Sequence, residues 1–415
     1  MTASTLNDEV VTTQKSPDHV FLLALSGGSL TAIKKYVEGN WTQRNLTKSF
    51  KFYNKDSDSY FYHPHMLFSA FHMKPVLKGR TIWDVLEINK DEPRMVFIDS
   101  GGYSIATGAV AIDKWTNKQA FDLSVANGNL FPILDIPVTP TADFDRHLAI
   151  SKKSAEYYRD NKPNEGEIIL NVAHGRHMGE VKRWIDGISE VELDGWALGS
   201  SHRGNPKEIL KGMFYMLTSG VLDNAKAFHV FGVSSASMII YFAAVKHAIK
   251  RNNMKYNFDL TFDSSYPMRT FAFGHFFAFR KFDGFVNVTL TNTVDWSTLK
   301  DDDFDGGFFC NCPVCSDLKS FPNLMKDPKS DERGMWGSLH NLHEMLMYKR
   351  QIEALVEMCM DVDGLVHSIF PAAIARNILV IQEAFNNIAV GEEIINRKFE
   401  YKDIDEATSL EGFFG

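Results

Sequence analysis

Gly195-Trp-Ala-Leu198, Phe228-His-Val-Phe231 and Phe258-Asp-Leu-Thr-Phe262-Asp263 are short apolar runs at near-equal intervals. Between them, Pro206–Leu217 and Ala236–Lys250 carry apolar residues at three- and four-residue spacings. A short apolar run followed by an amphipathic stretch, repeated, predicts strand and helix in alternation and a parallel sheet. The pattern extends upstream. His19–Leu25, Met95–Ile98, Leu130–Leu134 and Ile168–Val172 read as strands, and Ala142–Arg159 and Gly179–Ile188 as helices. Sustained from residue 19 to residue 263, the repeat favours a closed (β/α)8, TIM-like barrel over an open α/β sheet.

Beyond Asp263 the rhythm stops. Thr270–Leu290 is Phe-rich and alternates like a hairpin, Lys300–Gly307 is acidic, and Asp361–Ile388 reads as one or two closing helices. The tail from Gly391 is expected to be peripheral. The organisation expected is a polar segment 1–18, a barrel 19–300 with an N-terminal insertion, a metal-binding subdomain 301–360, and closing helices with an acidic tail 361–415.

The 415 residues are 44% hydrophobic and 23% charged, which excludes wholesale disorder. A net charge of −8 excludes a histone-like polycation, so contact with nucleic acid must come from local patches. Met1–Asp18 has no basic-then-apolar signal pattern, and no apolar run is long enough to span a bilayer. A soluble, cytoplasmic protein without a membrane partner is expected.

Four cysteines are too few for a disulfide framework, and three of them crowd into Cys310-Asn-Cys312-Pro-Val-Cys315. His340 and His343 follow in a helical stretch. Three thiolates and one imidazole fill a tetrahedral sphere, so the expected ion is a structural zinc with no open position for catalysis. Cys359 lies in the apolar run Ile352–Met360 and reads as core.

Three aspartates end apolar runs: Asp99, Asp135 and Asp263. In a barrel, strand C-termini form the reactive mouth, so these carboxylates would face one another. Gly101 and Gly102 after Asp99 allow a close backbone approach, and Tyr103 offers a stacking face.

Asp99-Ser-Gly-Gly-Tyr103, Phe262-Asp263 with Pro267 and Arg269, and Cys310-x-Cys312-x-x-Cys315 with Leu339-His340-Asn341-Leu342 occur in one order. That order resembles the tRNA-guanine transglycosylases. The resemblance implies a barrel with an inserted zinc subdomain, and exchange of guanine for a 7-deazaguanine in tRNA or, in some branches, DNA. It implies Asp263 as nucleophile at C1′ and Asp99 as general acid/base. Asp135 would read the base edge, with Tyr103 and Phe231, just before Gly232, as stacking faces. Arg269 would belong to the substrate site, and Cys310, Cys312, Cys315 and His340 would be the zinc ligands.

Departures from that pattern refine the expectation. Asn171-Val-Ala-His174-Gly175 stands where the tRNA enzymes carry glutamines, which puts His174 among the base-contacting residues. Gly199-Ser200-Ser201-His202-Arg203 keeps amide donors at Ser200 and Ser201 but lacks the acidic residue that reads an aminomethyl group. A neutral nitrile base, preQ0-like, is therefore favoured. Thr-Phe-Ala-Phe after Arg269 replaces the stretch that grips an anticodon loop.

The expected polymer is DNA, with tRNA as the alternative and a non-catalytic nucleic-acid-binding subunit as a third reading. A homodimer or helper proteins stay open. Two basic segments are candidate phosphate and base contacts: Tyr36–Tyr62, with Arg44, Lys48, Lys51 and Lys55 among Trp41, Phe50, Phe52 and Tyr53, and the cluster Lys246, Lys250, Arg251 and Lys255.

Overall fold

The computed structural model describes residues 19–400 except 41–42, 91, 93, 112, 164–165, 200–204, 234, 253, 255, 257, 273–274, 279–291, 296–309, 311, 320–323, 325–330, 361 and 363. Eight parallel strands close into a barrel in chain order. They are β1 (His19–Leu25), β2 (Met66–Ser69), β3 (Val96–Asp99), β4 (Leu130–Pro132), β5 (Ile168–Ala173), β6 (Gly195–Leu198), β7 (Ala227–Val230) and β8 (Asp259–Ser264). The seam is β1 on β8, with Phe21 opposite Phe262 and Leu22 opposite Asp263. Helices cover the outside and side chains fill the inside, so strands read as predominantly apolar runs. β7, for example, is buried at every position.

The expected helices form as Phe144–Asp160, Met178–Ile188, Pro206–Thr218 and Ala236–Arg251. Local chemistry starts them. The Asn205 side chain accepts from the amides of Lys207 and Glu208, and Pro206 needs no amide partner at the first position. β2 escapes the sequence pattern. Its four residues run directly into the helix Ala70–Leu77, so neither a turn signal nor a period of two marks it.

After β8, the Thr270–Leu290 hairpin reading needs correction. Residues Tyr266–Ala272 are helical, and the antiparallel pair is β9 (His275–Ala278) with β10 (Asn292–Asp295). Phe271 and Phe277 are core, as their alternation suggested. Phe273 and Phe279 lie outside the described residues. One 30-residue helix, Asp331–Met360, lies against Ala236–Arg251 and Tyr266–Ala272, with Cys359 fully buried.

The tail from Gly391 is not peripheral at its start. Gly391–Lys398 is a helix with Ile395 fully buried, and Phe399 is buried after it. A Cβ on Gly391 would lie 2.2 Å from Cζ of Phe214, so only glycine allows this docking.

Both basic segments are corrected too. Phe50, Phe52 and Tyr53 are fully buried and cannot stack on bases. Lys51 pairs with Glu87, and Lys48 lies 3.8 Å from Asp58. The Glu332 carboxylate accepts the amides of Arg44, Asn45 and Leu46 at 2.8, 2.8 and 3.2 Å, tying this segment to the long helix. Trp41 lies outside the described residues. In the second cluster, Lys246 faces Glu353 at 3.9 Å, Lys250 pairs with Glu357, and Arg251 reaches the carbonyl of Met360. Acids absent from the local sequence arrive from the helix packed against it. Lys255 is outside the described residues.

Candidate active site

Strand ends bring the three aspartates to one mouth. Asp99 is the last residue of β3, Asp263 lies near the end of β8, and Asp135 follows β4. Asp135 and Asp263 are buried. Burial, and then the charges of Asp135 and Asp263, push Asp99 up to about 7, while the Gly101 amide pulls the other way. A carboxyl group that titrates near neutrality can give and take a proton at the working pH.

Asp263 is held from one side. Its Oδ1 accepts the Gly232 amide at 2.9 Å and lies 3.3 Å from Nε2 of His229. Gly232 has φ +71°, a left-handed turn at the end of β7 that suits glycine and aims its amide at the carboxylate. His229 is fully buried, with Nδ1 2.8 Å from Oγ1 of Thr261. Burial holds this imidazole below its ordinary value, partly offset by Asp263. Phe97 packs on the ring at a centroid distance of 4.4 Å, and Phe231 meets it edge-on at 4.5 Å.

Asp135 is held from both sides. Ser100 Oγ donates to Oδ1 at 2.9 Å, and Nε2 of His174 lies 2.8 Å from Oδ2. His174 is 1% exposed and meets Trp184 edge-on. The paired glycines have a plain reason here. Gly101 has φ +82°, and a Cβ on Gly102 would lie 1.4 Å from the Asp135 carbonyl oxygen.

Of the other expected site residues, Tyr103 stands 43% exposed on the short helix Gly102–Ala106. Phe231 is half-buried against the core beside His229. Arg269 is exposed on the helix after β8. Ser200 and Ser201 lie outside the described residues. Sequence reasoning missed Ser100, His229 and Thr261. The available signal was a polar residue inside an apolar strand: His229 within Phe228–Phe231, and Thr261 two positions before Asp263 and so on the same face.

A second centre lies beside β9. Ligand atoms of Cys310, Cys312, Cys315 and His340 all lie within 4.8 Å of one another. His340 Nδ1 is 3.4 Å from Cys312 Sγ and 3.2 Å from Cys315 Sγ. Its Nε2 is 2.7 Å from the carbonyl of Phe277, which fixes the tautomer and leaves Nδ1 as a ligand lone pair. Backbone amides of Cys312 and Cys315 donate to the sulfurs of Cys310 and Cys312, each at 3.3 Å, as thiolates require. His343 pairs instead with Glu344. The three-sulfur, one-nitrogen set fits a closed structural metal site.

A family profile described as queuine tRNA-ribosyltransferase matches residues 127–358, more than half of the chain. A curated queuine tRNA-ribosyltransferase from Chlamydia felis (strain Fe/C-56) is 24% identical over 197 residues, which are 47% of this chain and 46% of that protein. The match thus spans about half the length of that relative.

Proposed function

We propose, on the premise that the chain belongs to the queuine tRNA-ribosyltransferase family, that it replaces guanine in DNA with a 7-deazaguanine such as preQ0. The observation carrying this reading is one mouth holding two unlike carboxyls: Asp263, hydrogen-bonded on one oxygen, and Asp99, poised near 7.

Asp263 attacks C1′ as the C1′–N9 bond breaks, and the bonding pair leaves with the guanine. Protonated Asp99 supplies the proton that makes the departing guanine neutral. The incoming base then gives its N9 proton to Asp99 and attacks C1′, and Asp263 departs as a carboxylate. Two displacements at one carbon retain configuration.

Asp135, held by Ser100 and His174, accepts the N–H edge of the base. Tyr103 and Phe231 flank the ring, and Ser200 and Ser201 are assigned, on the family resemblance alone, as amide donors to its other edge. Gly232 and Arg269 complete the substrate site. Zinc fits the Cys310, Cys312, Cys315 and His340 set and would supply structural cross-linking, with no part in the chemistry.

Support for DNA comes from the Gly199–Arg203 loop, which lacks an acid, and from Thr-Phe-Ala-Phe after Arg269. The Tyr36–Tyr62 segment, with Phe50, Phe52 and Tyr53 buried, no longer adds to it. The name of the Chlamydia relative favours the second reading, base exchange in tRNA. The deciding experiment incubates the protein with labelled guanine or preQ0 and either DNA or unmodified tRNA. Label in DNA supports the proposal; label in tRNA alone, across several DNA sequences, replaces it with the second reading.

A further inference from the structure

The strand register makes His229 and Thr261 direct neighbours across β7 and β8. Alternation along β8 then places Asp263 on the same inward face, one step closer to the mouth. The three side chains form a row: Thr261 Oγ1 to His229 Nδ1 at 2.8 Å, and His229 Nε2 to Asp263 Oδ1 at 3.3 Å. An ionised carboxylate only accepts hydrogen bonds, so Nε2 must carry the proton. In a neutral imidazole Nδ1 is then a lone pair, and the hydroxyl of fully buried Thr261 donates to it. Phe97 on the face of the ring and Phe231 at its edge keep the imidazole from turning away.

Two donors therefore converge on Oδ1, the Gly232 amide and the His229 Nε2–H. No described donor is directed at Oδ2. We propose that His229, with its tautomer set by Thr261, is a positioning residue that occupies Oδ1 of Asp263 and leaves Oδ2 as the oxygen that bonds to C1′. The inference rests on the reading of Asp263 as nucleophile. It assigns to the interior of the barrel a role in aiming the attack: without the His229 donor only the Gly232 amide holds Oδ1, and the carboxylate is freer to rotate. When Asp263 departs in the second displacement, the same N–H meets the negative charge as it returns to the carboxylate.

The test measures kcat and KM for base exchange with labelled guanine. It compares the wild type with His229→Phe, His229→Gln, Thr261→Val and Asp263→Asn, with a thermal melt of each. His229→Phe should lower kcat about ten- to a hundredfold, the worth of a hydrogen bond to a charged group, and leave KM within about twofold. His229→Gln, whose side-chain amide can donate from near the Nε2 position, should restore most of kcat. Thr261→Val should fall between wild type and His229→Phe, because the tautomer is no longer imposed. If His229→Phe does not fold, Thr261→Val carries the test. Wild-type kcat in the folded variants, with Asp263→Asn inactive, overturns the positioning role. Exchange by Asp263→Asn itself would instead remove the nucleophile reading beneath it.

Discussion

Nε2 of His174 lies 2.8 Å from Oδ2 of Asp135, and the opposite nitrogen of the ring, Nδ1, is buried with no hydrogen-bond partner among the described residues. Gly199 packs against this ring where a larger residue would not fit: a Cβ there would lie 2.2 Å from that Nδ1. On the proposed function, His174 supports the carboxylate assigned to read the base. His174→Ala should raise the KM for the incoming base about tenfold with a smaller effect on kcat, from loss of one charge-assisted hydrogen bond. Steady-state kinetics with varied base concentration check this, and an unchanged KM would remove the supporting role.

The pH dependence follows from Asp99, raised from an ordinary 3.8 to about 7. In the proposed mechanism the protonated form delivers the first proton, so guanine release should decline as pH rises through about 7. Single-turnover release, measured between pH 5.5 and 9 as a working range of about three units around that value, reads it directly. A rate that climbs through this window would contradict the assignment.

The same shift predicts a stability effect of definite sign. Between the ordinary value and about 7 the folded state binds a proton that the unfolded state has released. Stability from this group is therefore full at low pH and is lost as pH rises through the folded value. Asp99→Asn removes the buried charge and its repulsion with Asp135 and Asp263. The variant should melt higher than wild type at pH 8, with the gap closing toward pH 4. Equal melting temperatures at both pH values would count against a buried, repelled carboxylate.

Fresh protein should contain one zinc per chain, and Cys312→Ala should lower melting temperature and soluble yield, because binding at such a site is part of the folding free energy. Metal analysis paired with thermal melts before and after chelation tests both statements. Stoichiometric zinc retained by Cys312→Ala would exclude this cluster as the site.

The Lys246, Lys250 and Arg251 cluster is committed to a helix seam. Lys250→Ala should change nucleic-acid affinity and its salt slope very little and should cost at most about 1 kcal/mol of stability, as exposed ion pairs do. A salt titration of binding that shows a shallower slope in the variant would return this patch to the nucleic-acid interface.

Closely spaced chemistry was the legible part of the sequence. Cys310, Cys312 and Cys315 sit on one turn, and Asp99 and Asp263 stand at the ends of visible apolar runs. What needed coordinates was pairing across strands. His229 reads as core in an apolar run, and only the register with Thr261 and its distance from Asp263 give it a role. The basic segments misled because local sequence does not show a partner such as Glu357, more than 100 residues away. β2 stayed hidden because a four-residue strand that flows into a helix offers no periodicity to count.

The three amides gathered by Glu332 impose an order on synthesis. Arg44 and the carboxylate that holds its amide are 288 residues apart. As a ribosome extends the chain, the early segment around Arg44–Leu46 emerges long before its anchor exists. Closing so large a loop is slow and must wait for the C-terminal third. Nascent chains halted short of residue 332 should therefore show this segment as the most protease-sensitive and chaperone-dependent part of the barrel.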